Sequence, residues 1–400
     1  MKKLYIHIGF GKCGSSSIQT FLSRCEKFTC KNNDELIYAA LIGNQRLIFG
    51  NELTQLASSS NNGYRASLPF AKMPVPANDY FEAVGDQLLA LLQKKHVVLS
   101  QESWANHAQI WKEMSFFSDN KIDVTLILYL RPPVTWINSA WWQWGAWQNH
   151  HFDDWVKHAI HNVQFSSTVL SFKNLSTVNS VRVRLLGSDL LDDFSKILGL
   201  DKKLQLQTQA VSNKSLPNGI LRLFQKHRRL RPEPHSSAID FVLEKYLQLE
   251  GKADWLLSHE QIKHIIEQTR ASNVQLIDLI DVDCKEKFIS DPRYWDTSAF
   301  DAMVCKSSTG VNPTYEELEQ IAVAGIDAVM QLAKQQEKIK IKSNLSFDQF
   351  SLWRDLALQV ENSDIELAYQ LMKQAYKLNP NGQIIQRKLA LYQKELTNKN

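Results

Sequence analysis

The chain is poor in what would announce several common protein classes. Of its 400 residues only five are cysteine, Cys13, Cys25, Cys30, Cys284 and Cys305, an odd number that forms no Cys-x-x-Cys pair. That argues against a disulfide framework and for a reducing compartment, so a cytoplasmic protein is expected. No apolar run is long enough for a transmembrane segment. Met1-Lys2-Lys3 resembles the start of a signal peptide, but the apolar run after it breaks at Gly9 and no small-residue cleavage pattern follows. The net charge is only +4. No general polyanion-binding tail and no nucleic-acid partner are implied, and any basic patch must be local.

Motif-level absences narrow the chemistry. A Walker A loop needs Gly-Lys-Ser/Thr after four spacers. Here Lys12 comes two residues before the last glycine of its loop, and no lysine precedes Ser15. In His259-Glu-Gln-Ile-Lys-His264 three residues separate Glu260 from His264, where a zincin needs two. His150, His151, Asp153, Asp154, His158 and His161 fit no metal template and read as a solvated face. No metal is expected.

What is present starts at once. Leu4, Ile6 and Ile8 alternate with Tyr5 and His7 as a buried strand does. Gly9, Gly11 and Gly14 follow with Lys12 among them, and Ser15, Ser16 and Ser17 open a helix with Ile18, Phe21 and Leu22 on its apolar side. Strand, glycine loop and helix together make an anion-binding device: glycines turn backbone N–H groups inward, and the first helical N–H groups lack internal partners. The serine hydroxyls add donors and Lys12 a full positive charge.

Further along, Asp79 and Glu82 pattern as a capping box for a helix through Leu92. Val97-Val-Leu99 reads as a second strand, and helical periodicity spans Trp104 to Phe117. Val124–Leu130 is almost continuously apolar, as in a parallel strand covered on both faces, and ends at Arg131-Pro-Pro133. A helix follows that carries most of a tryptophan cluster, Trp136, Trp141, Trp142, Trp144 and Trp147. Ser180–Leu186 alternates as another strand. Alternating strands and helices mean a parallel sheet with crossovers, an α/β fold. Ligands in such sheets sit at the carboxyl ends of the strands, so Gly9–Ser17, Ser100–Glu102 and Arg131 should converge. Beyond residue 215 the pattern is helical, with Lys226-His-Arg-Arg-Leu-Arg231 a basic cluster and Ser258/Gln261 and Thr314/Glu317 as capping boxes. Residues 29–64 and 282–312 resist assignment. Two domains are expected: an α/β domain over 1–340 with helical insertions, and a helical extension over 345–400.

Two segments carry a family resemblance. His7-Ile-Gly…Lys12-Cys-Gly-Ser-Ser-Ser-Ile-Gln19 and Ile127-Leu-Tyr-Leu-Arg-Pro-Pro-Val-Thr-Trp-Ile-Asn-Ser-Ala-Trp-Trp-Gln143 resemble the two signatures of bacterial carbohydrate sulfotransferases, relatives of the heparan sulfate enzymes. The family usually has Thr where Cys13 stands. The resemblance covers roughly residues 1–275 and implies a P-loop-like fold. It also implies 3′-phosphoadenosine 5′-phosphosulfate (PAPS) as sulfuryl donor and a carbohydrate or other hydroxyl-bearing acceptor. It assigns Gly11, Lys12, Cys13, Gly14, Ser15, Ser16 and Ser17 to the 5′-phosphosulfate, Arg131 and Ser139 to the 3′-phosphate, and Asn213 and Ser215 to the donor's surroundings. In-line transfer needs a base near the acceptor. Glu102, at the end of Val97-Val-Leu-Ser-Gln-Glu102, resembles the family's catalytic glutamate, with His107 in reserve, and Lys12 meets charge on the departing phosphate.

Two competitors remain: a P-loop-type kinase using ATP, and a non-catalytic nucleotide-binding or interaction module. The second rests on the tail. Ser346/Gln349 and Ser363/Glu366 pattern as helix caps, and Ala368, Met372, Ala375 and Pro380 have the spacing of the second helix of a tetratricopeptide repeat. A lone repeat cannot bury its own face, so a protein partner for these helices and packing on the main domain are both open. So is a plain helical hairpin.

Overall fold

The structure, a computed structural model, describes all residues except 1, 149–150, 202–215, 235–237, 248, 250–252, 305–311, 347–348, 362–363 and 400. It is an α/β protein of two compact units, Met1–Ala324 and Gly325–Asn400.

The first unit is built on a seven-stranded sheet. Its strands are β1 (Leu4–His7), β2 (Phe28–Thr29), β3 (Glu35–Ile42), β4 (Arg46–Phe49), β5 (His96–Ser100), β6 (Val124–Leu130) and β7 (Ser180–Leu185). They lie in the order β2-β3-β5-β1-β6-β7, with β4 paired to β3. The run from β3 to β7 is parallel throughout. Only β2 and β4 run against β3. β1 is central: Ile6 stands opposite Leu99 of β5 on one side and Leu126 of β6 on the other. The chain builds β3 and β5 on one side of β1 before it crosses to β6 and β7. The carboxyl ends of β5, β1 and β6 therefore lie side by side at a topological switch point, where open α/β sheets bind ligands.

β1, β5, β6 and β7 are the strands that alternation and apolar runs predict; every residue of β6 is buried. The unassigned stretch 29–64 holds the end of β2, then β3, β4 and the helix Gly50–Ser58. β3, Glu35-Leu-Ile-Tyr-Ala-Ala-Leu-Ile42, is buried over six successive residues. Its two alanines erase alternation, and a short apolar run of that kind is also what a buried helix segment looks like. Residues 282–304 are largely helical rather than irregular, with Val282–Ser290 the main helix.

The expected capping box at Asp79 does not form. The helix starts at Ala77 behind Pro76 and stops at Val84 before a second helix, Gly85–Leu92. Pro76 fixes the chain in the extended conformation that precedes a first turn, while Asn78 Nδ2 instead donates to Glu82 at 2.7 Å. Ser258 and Gln261 do form a capping box, and Thr314 and Glu317 exchange both of theirs, at 2.8 and 3.1 Å.

One apolar core runs through the sheet and its flanking helices. A second joins Trp141, Trp142 and Trp147 to Ile220, Leu221 and Phe224. Trp136 is thus buried in the first core, and Trp141, Trp142 and Trp147 in the second.

In the second unit the helices Gln349–Val360, Ile365–Leu378 and Gln383–Lys399 close over Ala357, Ala368, Met372, Ala375, Ile385 and Tyr392. Asp364 caps the middle helix, accepting from Leu367 N at 2.9 Å; the expected cap Ser363 lies outside the described residues. No described helix is long and apolar enough to cross a membrane.

Candidate active site

The loop after β1 is held in a shape that few sequences tolerate. Gly14, the residue before the helix Ser15–Ser23, has φ +91°, and a Cβ there would lie 2.5 Å from Leu190 Cδ2. A Cβ on Gly11 would lie 2.8 Å from the Trp144 ring. Lys12 is itself left-handed at φ 63°, a conformation that costs a side-chain-bearing residue about 1–2 kcal/mol. Strain of this kind persists where surroundings over-determine it, and it gathers at functional sites.

The tryptophan helix, Pro133–Gln143, supplies the surroundings. Trp136 Nε1 donates to Gly11 O at 2.7 Å, and Trp144 packs against the same glycine. Arg131, just past β6, donates from Nη1 to Lys12 O at 3.1 Å and from Nε to Thr135 Oγ1 at 3.2 Å. Two of its five N–H groups are so used, and the fork still has donors for an anion. Ser139 is half-buried one turn beyond Thr135, so the two hydroxyls share a helix face with Arg131 at its base.

From β5 comes Glu102. Burial raises its carboxyl above the usual 4.5, opposed by nearby Lys12 and the Ser15 hydroxyl. Ser15 Oγ is buried beside the Glu102 carboxyl. The strand ends are tied behind the loop. His7 Nδ1 and Ser100 Oγ hydrogen-bond at 2.9 Å, and Gln19 Nε2 donates to the same hydroxyl at 3.2 Å. Burial pulls His7 down to about 3, so this link is neutral at any physiological pH.

Burial likewise pulls the Lys12 ammonium down to about 8, with Arg131 and Arg231 adding repulsion and Glu102 and Asp240 opposing them. Its Nζ donates to Gln143 Oε1 at 3.2 Å. Cys13 is fully buried and its thiol is pushed up to about 12, so it stays neutral and faces inward. Its N–H donates to Phe10 O at 3.2 Å.

Lys12, Ser15, Glu102 and Arg131 thus come together, although they stem from three strands. Several neighbours carry little or no signal of their own in the sequence. Thr135 and Gln143 lie inside the second motif. Arg231 ends the basic cluster, which signalled a patch but not its place. Tyr64, whose hydroxyl bonds to Ser16 near Glu102, and Asp240 carried no sequence signal. His107 lies against Phe70, ring centroids 5.9 Å apart. Asn213 and Ser215 lie outside the described residues. Among the described residues no three His, Cys, Asp or Glu side chains gather as a metal site would require.

No protein-family model matches the chain, and no curated protein does. Among solved structures it is similar to the crystal structure of a sulfotransferase from Alicyclobacillus acidocaldarius, over 72% of this chain and 99% of that one, at 11% identity and a TM-score of 0.34.

Proposed function

We propose that the chain is a sulfotransferase that moves a sulfuryl group from PAPS to a hydroxyl or amine of a carbohydrate-type acceptor. The observation that carries this reading is the meeting of Lys12, Arg131 and Glu102 at the ends of three adjacent parallel strands. Two cations and a glycine loop at a helix N-terminus suit a nucleotide with an anionic group at each end. A carboxylate of raised basicity beside them suits an acceptor that must lose a proton.

In this reading the glycine loop, with Ser15, Ser16 and Ser17, holds the 5′ end of the donor. Arg131 and Ser139 hold the 3′-phosphate through a planar fork and a hydroxyl. Lys12 meets negative charge as it grows on the leaving phosphate, in a setting dry enough for that charge to be felt strongly. Glu102 takes the acceptor proton, and the charge it loses is the one that Lys12 had been balancing.

Thermal unfolding with nucleotides tests the donor. Adenosine 3′,5′-bisphosphate at a hundredfold its Kd should add about 2.7 kcal/mol of stability by linkage, and ATP with Mg²⁺ little. Stabilisation by ATP alone would favour a kinase, and no shift with either would favour a binding module. Transfer of radiolabelled sulfate from PAPS across a glycan panel then identifies the acceptor.

A further inference from the structure

Lys12 is the outer end of a polar chain that runs into the protein. Gln143, the last residue of the tryptophan helix, accepts Lys12 Nζ with its side-chain oxygen at 3.2 Å. Its backbone carbonyl accepts Arg231 Nη2 at 3.0 Å. Arg231 is 1% exposed, lies 4.3 Å over the Trp147 ring and pairs through Nη1 with Asp240 at 2.8 Å. Arg231 Nε and Asp240 Oδ1 are buried with no hydrogen-bond partner among the described residues. A guanidinium so enclosed is costly, and one carboxylate is a lean return if its only task is to join two segments.

We propose that Gln143, Arg231 and Asp240 are positioning residues for Lys12. Gln143 fixes where the ammonium sits, Arg231 fixes Gln143, and the Asp240 carboxylate balances the two cations so that Lys12 keeps its proton. The proposal rests on the reading of Lys12 as the donor-loop cation, but the coupling itself exists with or without a nucleotide. The charged groups facing Lys12 are Arg131 and Arg231, which disfavour its proton, and Glu102 and Asp240, which favour it. Those facing Asp240 are Arg231, Lys12 and Glu244. Burial pushes Asp240 up to about 6, so it is ionised across the range in which Lys12 titrates.

The test reads Lys12 directly. The nucleotide-free protein is acetylated briefly with acetic anhydride at a series of pH values from about 6 to 11, and modification of the Lys12 peptide is followed by mass spectrometry. The wild-type reactivity midpoint is expected near 8. Asp240→Asn removes an attraction for the proton and should move the midpoint to lower pH. Gln143→Met removes the acceptor of the charged form, leaves the Arg231–Asp240 pair intact and should move it the same way. A pair that only ties two segments together would leave the midpoint where it is. An unmoved midpoint in folded Asp240→Asn overturns the proposal; if that variant does not fold, an unmoved midpoint in Gln143→Met overturns it. Calorimetric titration of wild-type protein with adenosine 3′,5′-bisphosphate separates the two levels. Shifted midpoints without binding leave the coupling standing and remove the donor reading. Binding with unmoved midpoints removes the coupling alone.

Discussion

Replacing Lys12 with Met should make the empty protein more stable and the donor site worse. The ammonium is held at about 8 against an ordinary 10.5. The folded state therefore binds this proton less well than the unfolded chain. Two and a half pH units correspond to about 3.4 kcal/mol, an upper figure because Met also loses the bond to Gln143, worth about 1 kcal/mol. Met keeps the length of the stem and needs no charge. At pH 7 Lys12→Met should gain on the order of 2–3 kcal/mol in urea unfolding. The sign is fixed by linkage. Between pH 8 and 10.5 the unfolded state carries more protons, so wild-type stability rises there and the advantage of Met shrinks. Binding runs the other way. The bisphosphate is fully ionised above pH 7, its second phosphate pKa being about 6. Above pH 8 the protein must take up a proton at Lys12 to bind it, so affinity should fall about tenfold per pH unit until the pKa of the bound state is reached. Calorimetry at pH 7, 8, 9 and 10 measures this, with Lys12→Met as the flat control. Affinity that is level from 7 to 10 in wild type, or a variant no more stable than wild type at pH 7, would refute the reasoning.

Glu102→Gln should bind the bisphosphate as wild type does and lose transfer by about 10²–10⁴-fold; normal turnover would remove the glutamate from the mechanism and bring His107 forward. Gly14→Ala forces a Cβ to 2.5 Å from Leu190 at φ +91°, and a loss of about 1–3 kcal/mol in unfolding is expected, with weaker nucleotide binding. Trp136→Phe keeps an aromatic ring but deletes the bond to Gly11 O and part of a buried indole; stability should drop by about 1–3 kcal/mol, and an unchanged bisphosphate affinity would show that this bond does not shape the loop. In the second unit Met372→Ala should cost about 2–5 kcal/mol, followed by the loss of helical signal on heating.

The amino-acid order alone determined the centre of the sheet and the glycine loop after β1. β1, β5, β6 and β7 are local patterns, and a lysine among glycines before three serines is chemistry written in consecutive residues. The places of Arg131 and Glu102 were legible for the same reason, since each stands within two residues of a strand end. The β2–β3–β4 side of the sheet was not legible, because β3 is defined by its partners on both sides and its own alternation is blurred by Ala39 and Ala40. Nor could the sequence say how the tryptophans are used. Helical spacing separated their directions, but only packing shows Trp136 bound to Gly11 O while Trp141, Trp142 and Trp147 fill a second core. The charge state of Lys12 is likewise tertiary: it depends on burial and on Arg231 and Asp240, more than two hundred residues away in sequence. Electrostatics acts through space, and only the fold sets those distances.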